Sequence, residues 1–305
     1  QVQGVYVPSL YTPVYSDDGA LVSEESSEGA PDKVSKRVVK DLSAYPVPTC
    51  PVVPFMDVVH DRATVEILRG CTRGCRFCQA GYIYRPVRER SPQKIAEIID
   101  AALENSGYEE ISLLSLTPGD YSCIEPLIKA LMARQAAEQV AVALPSLRVG
   151  SLTPELMEEI KKVRKTGFTL APEAGTERLR SVINKGISED NLLKTTEDAY
   201  SLGWRLIKLY FMMGLPTETD ADLEALIELA ARVKRTGKGT QGGADVNVAV
   251  STFVPKPHTP FQWQPQLSIE QVKQRQQRLK DGLKKRKLRF KYHEAELSFL
   301  EGGFA

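Results

Sequence analysis

"TVEILRGCTRGCRFCQAG", residues 64–81, runs a short strand-like segment straight into a loop that holds three of the chain's five cysteines. A strand, a tight glycine turn and a helix would open a dinucleotide-binding unit if the turn read G-x-G-x-x-G, but a C-x3-C-x2-C loop stands there instead. Outward from this stretch the same unit recurs. Further β-branched or leucine-rich runs follow at "EISLLSL" (110–116), "VAVALPSLRV" (140–149), "GFTL" (167–170), "RLIKLYFMM" (205–213) and "DVNVAVSTFV" (245–254), with helical spacing between them. Ser91-Pro92 predicts a cap and first-turn proline for a helix that buries Ile95, Ile98, Ile99, Ala102 and Leu103. Thr153-Pro154, Ser188, Thr219 and Ser268 open later helices, the last with the capping-box partner Gln271. Strand-helix alternation predicts a parallel sheet with right-handed crossovers, either doubly wound or an incomplete barrel. Both architectures put functional loops at the carboxyl ends of the strands, where the cysteines sit.

The chain has 305 residues, 42% of them apolar, enough for one large core or two smaller ones. Forty basic against thirty-nine acidic residues give no global field to attract a nucleic acid or a membrane. No 18-residue apolar run and no signal-peptide pattern is visible, so the expectation is no membrane partner and a cytoplasmic, reducing location. The missing initial Met and the abrupt end at "SFLEGGFA" read as a segment of something longer. Composition divides it into an extended arm or interdomain linker over 1–60, a barrel over 61–283 and a basic carboxyl-terminal extension over 284–305.

Clustered thiols in a reducing compartment are more often metal ligands than disulfides. Iron-sulfur clusters usually take four cysteines, and no fourth stands beside Cys71, Cys75 and Cys78, which leaves one iron open. Gly70, Gly74 and Gly81 let the backbone turn around a bulky group, and Arg73 and Arg76 offset its negative charge. A zinc site of the three thiolates and His60 is the alternative from the residues alone.

With Phe77 just before the third cysteine and βα repeats behind it, C-x3-C-x2-C resembles the radical S-adenosylmethionine superfamily. The resemblance continues through residues 171–230, "APEAGTERLRSVINKG" to "MGLPTETDADLEALIELA", which are similar to the second barrel half of tRNA methylthiotransferases and cobalamin-linked methyltransferases. "YPVPTCPVV" resembles the linker after an amino-terminal cobalamin-binding-like domain, and the likeness spans roughly residues 40–300. It implies a partial (β/α)6 barrel and a [4Fe-4S] cluster on Cys71, Cys75 and Cys78 with S-adenosylmethionine on the open iron. Reductive cleavage would then give a 5'-deoxyadenosyl radical that activates a C–H bond, for methylation or methylthiolation of a macromolecule. Cobalamin would enter only through a domain absent from this chain. Flavodoxin or ferredoxin would be the electron donor, and RNA or protein the second substrate.

The resemblance also implies site residues. Phe77 packs on the adenine side. Gly119 and Asp120 stand where the family contacts the methionine amino group, and Arg148 where a guanidinium meets the carboxylate. Glu173 and Lys208 point toward the same mouth by strand register, and Gly214 and Leu215 present backbone to the adenine.

Other features have plainer readings beside the functional ones. Glu173 can also be read as a solvated acid, Met212 and Met213 as core filler, Cys123 as an inert buried thiol and Cys50 as a bystander in the arm. "FVPKPHTPFQW" (253–263) reads as a rigid lid that packs its aromatics, or as a substrate border with His258 as proton carrier. The basic run from Lys273 through "LKDGLKKRKLRFKYH" reads as a solvated helix face or a contact for RNA phosphates. No second cysteine trio and no D-x-H-x-x-G is present. The competing class is a non-catalytic iron-sulfur or zinc module serving fold stability or electron transfer; the remote set Arg148, Glu173 and Gly214 separates the two.

Overall fold

The computed structural model describes residues 2–56, 58–135, 140–143, 149, 157–158, 168–240 and 243–304, in two compact units, Gln1–Leu42 and Ser43–Ala305. The first unit carries an antiparallel hairpin of β1 (Tyr11–Tyr15) and β2 (Leu21–Ser26). The composition of this arm predicts extended coil, whereas Tyr11, Val14 and Tyr15 pair across the turn at 16–20, where Gly19 takes a positive φ.

The second unit is built from strands and helices in alternation. β3 (Ala63–Glu66) is followed by β4 (Leu68–Arg69), α1 (Gln79–Ile83), β5 (Arg88–Glu89), α2 (Pro92–Ser106), β6 (Glu110–Leu114), α3 (Ile124–Gln135) and β7 (Ala141–Ala143). Next come β8 (Phe168–Glu173), α4 (Glu177–Val182), α5 (Glu189–Ser201), β9 (Leu206–Met213), α6 (Asp220–Thr236) and β10 (Asp245–Thr252). The chain closes with α7 (Ile269–Lys285), β11 (Arg289–Tyr292) and α8 (Ala295–Phe304).

Two parallel sheets result, in the orders β3-β6-β7 and β8-β9-β10-β11, and among the described residues they do not close into a barrel. Ser91 caps α2 through the Lys94 N–H, and Ser188 caps α5 through the Asn191 N–H. Thr219 with Asp222 and Ser268 with Gln271 close capping boxes at α6 and α7. The helix expected from Thr153-Pro154 lies outside the described residues.

Each sheet buries the face that meets its helices. On the second sheet Leu170, Ile207, Leu209, Phe211, Val246, Val248 and Val250 pack with Leu192, Leu223, Leu226 and Val233 of the helices, each full burial contributing roughly 1.5–3 kcal/mol. The first sheet does the same with Ile95, Ile98 and Ile99 of α2 and Leu127 and Leu131 of α3. Period-two alternation leaves the opposite parity for the inner face: Thr169, Ala171 and Glu173 on β8, Lys208, Tyr210 and Met212 on β9, and Asn247, Ala249 and Ser251 on β10.

Two boundaries differ from the composition-based reading. The compact amino-terminal unit ends at Leu42, so residues 43–60 belong with the larger body. Residues 284–305 are no appendage, because β11 pairs in parallel with β10 and Gln276 of α7 donates to the His293 carbonyl. No described helix is long and apolar enough to cross a membrane.

Candidate active site

The cysteine loop leaves β4, turns through Gly70 and Gly74, and ends where Cys78 precedes α1. Gly70 has φ +92, and a Cβ there would stand 2.5 Å from the Tyr84 carbonyl oxygen and 2.7 Å from that of Pro86. Only glycine lets the strand pass so close to the returning chain.

Several side chains pin the loop. Asn184 Nδ2, from the turn after α4, donates to the carbonyls of Arg73 (3.3 Å) and Gly74 (2.9 Å). Arg76 donates from its backbone to the Ile183 carbonyl and from its guanidinium to that of Val182 at 2.6 Å. The cation thereby sits at the carbonyl end of α4, where the helix dipole favours it. Arg85 donates to the Cys71 carbonyl at 3.4 Å and stacks 4.7 Å from the Tyr82 ring centroid. The Arg73 N–H donates to Cys71 Sγ at 3.4 Å.

Cys71, Cys75 and Cys78 open onto one cavity of about 470 Å³. Phe77, Leu116 and Tyr210 supply apolar and aromatic wall, Thr117, Thr169 and Ser251 supply hydroxyls, and Glu173 and Lys185 supply charge. Its residues come from the strand ends of both sheets, where sequence alternation places functional loops.

Glu173 reaches this cavity through an unusual backbone. It adopts φ +68 at the end of β8, where the register with β9 shifts between Leu170 and Glu173. Its carboxylate accepts from Lys185 Nζ at 2.9 Å, both side chains being largely buried. Burial pushes the Glu173 carboxyl up, against the pull of the Lys185 charge and hydrogen bond.

Below the mouth, Asp222 ties the turns after β8 and β9 together. It accepts from Thr176 and Arg178 on one side and from the Thr219 N–H and hydroxyl on the other. Burial alone would raise its pKa, but these hydrogen bonds outweigh it and hold the carboxyl down to about 2. Glu218, 2% exposed in its side chain, accepts from the Gly214 N–H and from Arg275 at 2.6 Å. Arg180, almost fully buried, donates to the carbonyls of Ala174, Gly175 and Ile187. Glu218 belongs to the G-L-P-T-E-T turn that carries the family resemblance, whereas Arg180 and Asp222 have no functional reading in the sequence beyond their places in G-T-E-R-L-R and the following helix.

The predicted site residues are distributed unevenly. Phe77 and Glu173 line the cavity with the cysteines. Gly119 and Asp120 occupy a one-turn helix after β6, and Asp120 pairs with both nitrogen positions of the Arg73 fork, so Leu116 and Thr117 form the cavity wall in their place. Lys208 shares the inner face but pairs in register with Thr169 and Asn247, one layer deeper than Tyr210. Gly214 is bound by Glu218, and Leu215 is buried with Phe253 and Phe261; neither lines the cavity. Arg148 lies outside the described residues.

The segment after β10 splits its aromatics. Phe261 packs edge-on against Phe253 at 6.0 Å, and Gln79 of α1 donates to the Pro257 carbonyl, so the segment borders the cysteine loop. Trp263 does not pack, being 87% exposed, contrary to the expected lid of packed aromatics. Cys123 is half-buried beside the first core and Cys50 is exposed.

The donor set suits a cluster with one open corner. Three cysteines of one loop share the cavity, and neither other cysteine lines it. Among the described residues no three His, Cys, Asp or Glu converge as ligands of a single ion. His60, the fourth ligand of the zinc alternative, is exposed and bonded to the Arg62 guanidinium at 2.9 Å.

The family model of the radical SAM superfamily matches residues 65–230. An uncharacterized protein of Methanocaldococcus jannaschii is 36% identical over 231 residues, covering 76% of this chain and 49% of that protein. The tRNA-2-methylthio-N(6)-dimethylallyladenosine synthase of Moorella thermoacetica is 26% identical over 188 residues, covering 57% of this chain and 40% of that enzyme. The chain thus spans half or less of the length of these curated relatives. Among solved structures, the radical S-adenosylmethionine methyltransferase TsrM of Kitasatospora setae, with cobalamin and a [4Fe-4S] cluster bound, superposes with TM-score 0.53 at 13% identity, covering 65% of this chain and 38% of that one. SuiB of Streptococcus suis bound to S-adenosylmethionine gives TM-score 0.51 at 14% identity, covering 76% and 50%. At these identities the structural likeness speaks for the fold.

Proposed function

The chain belongs to the radical SAM superfamily, and from that premise we propose that Cys71, Cys75 and Cys78 hold a [4Fe-4S] cluster whose open iron receives S-adenosylmethionine in the adjoining cavity. The chemistry that such a cluster would supply when bound and reduced is one electron to the sulfonium, which would give methionine and a 5'-deoxyadenosyl radical able to take a hydrogen atom from the second substrate.

The chain's own residues bind, orient and shield. Glu173 and Lys185 present a carboxylate and an ammonium side by side, matching the ammonium and carboxylate of the methionine moiety. Phe77 and Tyr210 offer ring faces to the adenine, and Thr117 and Ser251 offer hydroxyls. Leu116 and Ala171 keep the wall apolar around a reactive species that water must not reach. Asp120 engages Arg73 and so steadies the cysteine loop, a positioning role distinct from direct contact with the methionine amino group. Lys208, a layer deeper than Tyr210 on the same face of β9, would stand below the cofactor.

As the reaction class we favour methylation or methylthiolation of a macromolecule, RNA before protein, in line with the tRNA-modifying relatives, and we take a flavodoxin or ferredoxin of the cytoplasm as the electron donor. The observation that carries the reading is the convergence of the C-x3-C-x2-C loop and the Glu173–Lys185 pair on one cavity. Electron paramagnetic resonance of the reconstituted, reduced protein tests it. Adding S-adenosylmethionine should perturb the cluster signal; an unchanged signal at saturating S-adenosylmethionine would refute coordination at an open iron.

A further inference from the structure

The basic run at the carboxyl end is not one surface. Its first cations are neutralised: Lys273 by Glu296, Arg275 by Glu218, and Arg278 by Asp220 and Glu224. The later ones meet a second basic group that is distant in sequence. Lys234 Nζ, at the end of α6, donates to the Lys287 carbonyl at 2.9 Å, and Glu228 of α6 accepts from both Arg235 and Arg286. Lys234, Arg235, Lys238 and Arg286 thereby line one pocket of about 420 Å³, walled by Gly237, Gly239 and Gly243. Lys284 and Lys285, in the last turn of α7 and immediately before Arg286 in the chain, are exposed and without an ion pair among the described residues.

Cations at the carboxyl ends of two helices partly answer the helix dipoles, but each dipole end amounts to only about half an elementary charge. Of these six cations Arg235 and Arg286 share Glu228 and Lys234 reaches Asp245, which leaves Lys238, Lys284 and Lys285 without an acidic partner among the described residues. A surplus of positive charge remains on a chain whose overall charge is close to neutral. The pocket also lies away from the cysteines: Ala244 lines it and Ser251 lines the cysteine cavity, seven residues along one strand run, roughly 23 Å at about 3.3 Å per residue. An electron donor seated here would stand at the opposite end of β10 from the cysteine cavity. A ligand that offers closely spaced negative charge over an extended path fits both the pocket and the flanking lysines.

We propose that the pocket of Lys234, Arg235, Lys238 and Arg286, with Lys284 and Lys285, is a docking surface for the phosphate backbone of RNA. It reads charge and not base sequence, since no aromatic residue is among the described residues that line it. Its affinity therefore falls steeply with salt. The surface stands on charge and geometry, independently of the cofactor chemistry.

The test is fluorescence anisotropy of a labelled single-stranded RNA with the cluster-loaded protein, without S-adenosylmethionine or reductant, across a salt series. The triple variant Lys238→Gln, Lys284→Gln, Lys285→Gln should bind at least about tenfold more weakly, with the log–log salt slope flattened by about 2. A matched control, Lys194→Gln, Lys273→Gln, Arg278→Gln, removes three cations paired elsewhere and should change affinity less than about threefold. Equal losses in the two triples, no RNA binding by the parent at low salt, or tighter binding of polyglutamate than of RNA would each overturn the proposal. Formation of 5'-deoxyadenosine should be the same in parent and both triples, so failure of the docking surface is distinguishable from failure of the radical chemistry.

Discussion

Glu173 Oε1 and Lys185 Nζ lie 2.9 Å apart on the wall of the cavity that holds the three cysteines, and the carboxylate gets there through a left-handed backbone at the end of β8. A non-glycine residue in that region costs on the order of 1–3 kcal/mol, which the surrounding turn must hold in place. Arg180 and Asp222 are the residues that do so.

Replacing Glu173 by Gln keeps the shape and removes the charge. The account expects S-adenosylmethionine affinity to fall at least about tenfold with iron content unchanged, because one charge-assisted contact is lost. Equilibrium titration checks this, and parent-like affinity would take Glu173 out of the cofactor site.

Asp222 supplies a pH signature. Its carboxyl is held at about 2 against an ordinary 3.8, so its stabilisation is fully present above about pH 4 and is lost as pH falls from about 4 toward 2. Asp222→Asn should be less stable than the parent by roughly 2 kcal/mol at neutral pH, with the difference shrinking through that window. Denaturant unfolding at pH 7 and at several points below pH 4 measures it.

Two glycines should not tolerate alanine. At Gly70 the new Cβ would meet two carbonyl oxygens of the returning chain, and at Gly175 it would lie 2.2 Å from the Leu226 nitrogen of α6. Those neighbours are backbone and cannot step aside. Gly70→Ala should reduce iron incorporation by more than half, and Gly175→Ala should destabilise the fold by about 2–4 kcal/mol. Iron and sulfide analysis together with thermal unfolding read the two effects separately.

Much of this was legible in the sequence because local and tertiary demands coincide. The caps at Ser91, Ser188, Thr219 and Ser268 and the buried stripe Ile95, Ile98, Ile99 and Ala102 need only neighbouring residues to be recognised. β11 was hidden because "RFKY" sits inside a Lys/Arg run, and only its register with β10 makes it a strand. "TVEILR" broke into two strands because Leu68–Arg69 leaves to pair antiparallel with Arg88–Glu89. The cysteines and Glu173 stand out as residue types at the ends of strands. The partners of Asp120 and Glu218 could not be foreseen, since Arg73 and Arg275 lie 47 and 57 residues away in the chain.

The most direct measurement is anaerobic. The protein is reconstituted with iron and sulfide, reduced with dithionite, given S-adenosylmethionine and assayed by chromatography for 5'-deoxyadenosine. The account predicts that the product forms and that Cys71→Ala, Cys75→Ala and Cys78→Ala each abolish it with loss of the cluster. A protein with a full four-iron cluster that neither binds S-adenosylmethionine nor forms 5'-deoxyadenosine, or a Cys71→Ala variant that retains full iron content and activity, would contradict it.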